Sequence, residues 1–129
     1  MKKANCIFCS IAAGEVPSYK IYEDKDYVAF LDLFPIAKGQ VLVIPKTHTT
    51  SRFHEADDRV LEGLMLTIKR AAGMMVKGLP AKRVVVLIEG FEVDHLHAKL
   101  YPDKGLAHTG KKASDGELED SRRRILAGG

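Results

Sequence analysis

From position 95 the chain reads His95-Leu96-His97-Ala98-Lys99-Leu100, polar and apolar in strict alternation. Side chains on a β-strand point to opposite faces with period two, whereas a helix would scatter these residues around its axis. The spacing predicts a strand over His95–Tyr101. Leu96, Ala98 and Leu100 turn into a core, and His95, His97 and Lys99 share the other face. Five consecutive apolar residues upstream, Val84 to Ile88, predict a central strand over Arg83–Ile88. A short turn at Gly90–Asp94 joins the two as an antiparallel hairpin.

The rest of the chain supplies more strands and one long helix. Tyr19–Glu23 and Tyr27–Leu31 flank the turn Asp24-Lys25-Asp26 and read as a hairpin. Gln40–Ile44, closed by Pro45, is a strongly apolar strand. Asp57 or Asp58 opens a helix running to about Lys77, with Val60, Leu64, Ile68, Ala71 and Met75 along one stripe. Gly63 and Gly73 inside it point to close packing on the sheet, and Gly78 and Pro80 end it. Cys6–Ala13 reads as a short helical turn with Ile7, Phe8 and Ile11 on one face, stopped by Gly14. Residues 102–116 read as a loop. Glu117–Leu126 reads as a short, weakly amphipathic helix that docks only in a dimer.

These 129 residues make one domain, 1–129, with a core over about 5–102 and a C-terminal extension over 103–129. Lys and Arg number 20 against 17 Asp and Glu, so the net charge is only +3. That suits a small anionic ligand and is too slight for a nucleic-acid surface. No run approaches the roughly 18 apolar residues of a membrane helix, and no signal-like apolar segment follows the basic start. The expectation is a cytoplasmic protein with neither a membrane nor a nucleic-acid partner.

Two imidazoles and an ammonium on one strand face handle phosphate well. A neutral imidazole can attack phosphorus while nearby cations offset charge on the oxygens. The same face could also be a polar surface wetted by solvent. Cys6-Ile7-Phe8-Cys9 has the spacing of half a zinc site, with His48 and His95 as candidate further ligands and His54 as a rival. Two inert buried cysteines and a redox pair are the alternatives. Asp32, after Phe30-Leu31, can hold two ribose hydroxyls or can simply form a turn. Pro45-Lys46-Thr47-His48 is open to a bland reading too, as a solvated strand end.

Taken together, four segments resemble the histidine triad (HIT) superfamily in its bacterial zinc-bearing branch. They are Cys6–Pro17, Ala29-Phe30-Leu31-Asp32-Leu33, Gly39-Gln40-Val41-Leu42-Val43-Ile44-Pro45-Lys46-Thr47-His48, and His95-Leu96-His97-Ala98-Lys99-Leu100-Tyr101-Pro102, in the family's order. The resemblance implies an α+β fold with a five-stranded antiparallel sheet, one long helix and shorter N- and C-terminal helices, assembled as a homodimer. It implies a purine nucleoside phosphate ligand and a structural zinc held by Cys6, Cys9, His48 and His95. His97 matches the nucleophile, with His95 and Lys99 beside it as the other catalytic candidates. Ile7, Phe8, Ile11, Phe30 and Leu33 match the walls around the base and Asp32 the ribose acid, while Gly90 and Glu92 complete the nucleotide-binding set.

The chain also departs from the family pattern. Lys99 replaces the third triad histidine, Phe91 and Glu92 replace a glutamine and a small hydroxyl residue, and an asparagine has no match near Leu87 and Ile88. Lys99 carries the positive charge that a histidine has only when protonated. The implied activity is cleavage of nucleoside 5'-phosphoramidates or dinucleoside polyphosphates at the α phosphorus, through a nucleotidyl-histidine. A non-catalytic nucleotide-binding or regulatory module, and a nucleotidyl phosphorylase or transferase, stand as alternatives.

Overall fold

The computed structural model describes residues 3–103 and 112–128. Its strands are β1 (Lys20–Glu23), β2 (Tyr27–Leu31), β3 (Val41–Pro45), β4 (Arg83–Leu87) and β5 (Ala98–Asp103). Its helices are α1 (Ile7–Ala12), α2 (Asp58–Gly78) and α3 (Asp115–Gly128), with a 3-10 turn at Phe53–Glu55. Among the described residues the five strands form one antiparallel sheet in the order β1-β2-β3-β5-β4. This is the expected α+β architecture. Most of the loop read over 102–116, His108 included, lies outside the described residues.

The sheet is covered on both faces. On one, α2 buries Leu64, Ile68, Ala71 and Met75 against Ala29, Val41, Val43, Leu96, Ala98 and Leu100. On the other, α1 packs Phe8, Cys9 and Ile11 against Val28, Phe30, Leu42 and Ile44. Every residue of β3 is therefore buried, which explains its continuous apolar sequence. The Asp57 carboxylate caps α2 by accepting from the Arg59 N–H at 2.8 Å. Gly63 does pack closely, since a Cβ there would run into the Tyr27 ring, whereas Gly73 has open space around it. No residue of α3 is buried.

Two expectations need correction. The Arg83–Ile88 strand is not central: β4 is an edge strand, with Val86 41% and Leu87 43% exposed. An apolar run reports how much surface a strand can bury, not where it lies in the sheet. The strand read from His95 starts at Ala98, because the preceding backbone leaves the ladder and the Leu96 N–H donates to the Thr49 carbonyl at 2.8 Å. The alternation of faces survives this. Leu96, Ala98 and Leu100 lie in the α2-side core, and the His95 and His97 rings both meet Phe8 of α1.

Candidate active site

The start of α1, the loop after β3 and the segment before β5 converge on four side chains. Cys6 Sγ and Cys9 Sγ each lie 3.4 Å from His95 Nδ1, and Cys9 Sγ lies 3.4 Å from His48 Nδ1. All four ligand atoms fall within 4.8 Å of one another. A tetrahedral zinc with ordinary bond lengths sets sulfur and nitrogen about 3.6 Å apart, so the cage has the size such an ion needs.

The protonation pattern fits a metal as well. His95 Nε2 is 2.8 Å from the Pro45 carbonyl, which can only accept, so Nε2 carries the proton and Nδ1 turns its lone pair to the thiols. Burial pushes His95 down to about 4, which keeps the ring neutral. Backbone N–H groups of Lys3 and Cys9 donate to Cys9 Sγ and Cys6 Sγ. Burial pushes the Cys9 thiol up, so a thiolate there calls for a cation beside it. The Asp94 carboxylate accepts from the Ser51 N–H and hydroxyl, both at 3.0 Å, and so pins the His95 segment to the His48 loop.

Beside this cluster a cavity of about 490 Å³ opens over the α1 side of the sheet. That is the size of a small-molecule site. Ile7, Phe8, Ile11, Phe30 and Leu33 line one part of it, and Asp32, Glu89, Glu92, His97 and Lys99 the other. The Ser18 hydroxyl also reaches it, buried and without a hydrogen-bond partner. His97 is 4% exposed, its ring edge-on to Phe8 at 4.8 Å between centroids. His97 Nδ1 is 2.7 Å from the His95 carbonyl and must be the donor, which leaves Nε2 with a free lone pair. Burial is the largest influence lowering the pKa of His97, with the Lys99 charge adding to it, so the ring is a neutral base at physiological pH.

Lys99 Nζ binds Glu89 Oε1 at 3.0 Å, and the same oxygen lies 4.0 Å from His97 Nε2. The contact raises the Lys99 pKa and lowers that of Glu89, so the two form a charged pair. Asp32 is anchored too: Oδ1 accepts from the Phe34 N–H at 2.9 Å and Oδ2 from the Gln40 amide at 2.8 Å. It thus forms the turn and also lines the cavity.

The structure divides the His95, His97, Lys99 row. His97 and Lys99 line the cavity, while His95 joins the thiols and His48. Gly90 does not line the cavity. Its left-handed backbone, φ 67°, presses against Ser51, where a Cβ would collide. Phe91 is 89% exposed and lies outside the cavity, as His54 lies outside the cluster. Sequence reasoning missed Glu89, Gln40 and the Ser51–Asp94 clamp. Glu89 carried one available signal, an acid just past an apolar strand and three residues before Glu92.

A profile of the HIT domain matches residues 13–105. The chain is 36% identical to an uncharacterized HIT-like protein of Mycoplasma genitalium, over 95% of this chain and 92% of that one. It is 40% identical to the adenosine 5'-monophosphoramidase HNT1 of Saccharomyces cerevisiae, over 78% of this chain and 64% of the yeast protein. A histidine triad protein structure from Clostridium difficile superimposes with a TM-score of 0.73 at 35% identity, covering 85% of this chain and all of that one (100%).

Proposed function

Because the chain belongs to the family of HIT-domain proteins, we propose that it is a nucleotide hydrolase in which His97 attacks the α phosphorus of a nucleoside 5'-phosphoramidate or dinucleoside polyphosphate. The observation that carries this is the 2.7 Å contact between His97 Nδ1 and the His95 carbonyl, which leaves a neutral Nε2 lone pair beside the cavity. Ile7, Phe8, Ile11, Phe30 and Leu33 sandwich the purine. Asp32 takes the ribose hydroxyls, since each carboxylate oxygen keeps a lone pair after its present bond. Nε2 bonds to phosphorus as the bond from phosphorus to the amine or phosphate breaks, the leaving amine takes a proton from water, and Lys99 offsets charge on the phosphoryl oxygens. Water then releases the nucleoside monophosphate.

Cys6, Cys9, His48 and His95 hold a structural zinc. With all four positions supplied by the protein it takes no part in the chemistry, and it ties α1, with Phe8, to the His95 segment. The exposed apolar edge of β4 supports a homodimer. Among the described residues no helix is long and apolar enough to cross a membrane. The protein acts in the cytoplasm as one domain over 1–129, its core about 5–102 and its C-terminal extension 103–129.

One observation favours a non-catalytic nucleotide-binding module: the Glu89 carboxylate, 4.0 Å from Nε2, repels an anionic phosphate. Turnover decides between them. The hydrolase releases AMP from adenosine 5'-phosphoramidate, acid quenching leaves adenylate on His97, and His97→Ala loses both. AMP binding by calorimetry without turnover overturns the reading. Metal analysis of the purified protein is expected to find zinc in equimolar amount.

A further inference from the structure

The attack by His97 uses neither Glu89 nor the pair it makes with Lys99, yet both line the cavity. Once the nucleotidyl group sits on Nε2, something must take a proton from the attacking water. His97 cannot, because Nε2 is bonded to phosphorus and Nδ1 faces the His95 carbonyl at 2.7 Å. Lys99 is held in its charged form by Glu89. Asp32, anchored by the Phe34 N–H and the Gln40 amide, gives its remaining lone pairs to the ribose hydroxyls. Glu89 is ionised, lies 4.0 Å from Nε2, and is held from behind by the Phe91 N–H, which donates to Oε2 at 3.3 Å.

We propose that Glu89 is the general base of the second half-reaction, the hydrolysis of nucleotidyl-His97; this rests on His97 being the nucleophile. In an in-line displacement the entering water lies roughly two bond lengths beyond Nε2, on the far side of phosphorus. The nearer Glu89 oxygen lies 4.0 Å from Nε2, about the same separation from Nε2 as such a water. The step balances within the site. The water oxygen bonds to phosphorus, the P–Nε2 bond breaks and its electron pair returns to Nε2. One water proton passes to Glu89 and the other stays on the nucleoside monophosphate. Glu89 then releases its proton to solvent.

Lys99 couples the two halves. An anionic phosphoryl group draws the ammonium away from Glu89 Oε1. The carboxylate thereby loses the contact that weakens it as a base, at the stage when basicity is needed.

Rapid mixing of adenosine 5'-phosphoramidate with wild type and Glu89→Gln, quenched in acid, separates the half-reactions. In Glu89→Gln the first product appears in a burst, adenylated His97 accumulates, and AMP release slows about 100-fold or more. Glu89→Asp, which keeps the carboxylate, recovers part of the second rate. Wild-type AMP release from Glu89→Gln overturns the proposal. So does an equal slowing of both steps without accumulation, or accumulation in Glu92→Gln in its place. If the wild type forms no adenylated His97 while still releasing AMP, the nucleophile reading itself fails and this assignment falls with it.

Discussion

Phe8→Ala tests how the metal-ligand cluster and the cavity are joined. Phe8 sits between the two cysteines, is 7% exposed, and meets the His97, His95 and Phe30 rings at 4.8, 5.8 and 6.1 Å between centroids. Burying its side chain is worth about 1.5–3 kcal/mol. The edge-on aromatic contacts add about 0.5–1.5 kcal/mol. The space left by truncation opens into the existing cavity, so water can enter and no sealed void is created. The sum is about 3 kcal/mol, at the low end for a buried phenylalanine, and lowers Tm by roughly 10 °C in a chain of this size.

The variant also removes the wall against the imidazole and leaves the Nδ1 hydrogen bond as its main anchor. A misplacement of about 1 Å costs about 100-fold in rate. Thermal melts paired with AMP release from the phosphoramidate read both effects. A Tm loss with unchanged turnover refutes the positioning argument, and an unchanged Tm refutes the packing arithmetic.

Other outcomes follow from the same contacts. Gly63→Ala drives a methyl into the Tyr27 ring and breaks its 2.8 Å bond to the Val60 carbonyl, a loss of about 2 kcal/mol. Gly73→Ala, in open space on the same helix, stabilises by about 0.5–1 kcal/mol, so urea midpoints move in opposite directions. In metal-free protein His95 stays neutral down to about 4, while the unfolded chain protonates it near 6.5. Its contribution is complete above pH 6.5 and falls by on the order of 3 kcal/mol as pH drops to about 4. Urea titrations at pH 7.5, 6 and 4.5 measure that slope, which His95→Asn removes; a wild-type profile flat across this range contradicts it.

Much of the site was readable before any coordinates. The two-residue spacing put His97 and Lys99 on one side of the chain, and the cysteine spacing with His48 and His95 as candidates marked the four side chains that cluster. Glu89 was readable only as an acid past an apolar strand. The β4–β5 pairing carries it back beside Lys99, and nothing local in Ile88-Glu89-Gly90 signals that partner. Gln40 was hidden in the same way, since its value lies in reaching across eight residues to the Asp32 carboxylate.

Periodicity, caps and turn residues act over a few neighbours, and from them alone come the strands, the long helix with its Leu64–Ile68–Ala71–Met75 stripe, and the alternation through His97. Tertiary structure decided the lateral strand order that sends β4 to the edge, and the break in the ladder that hands His95 to the thiols. It also decided the approach of Glu89 to His97. Those outcomes depend on which distant surfaces exclude water from each other, and that is a property of the whole packed chain.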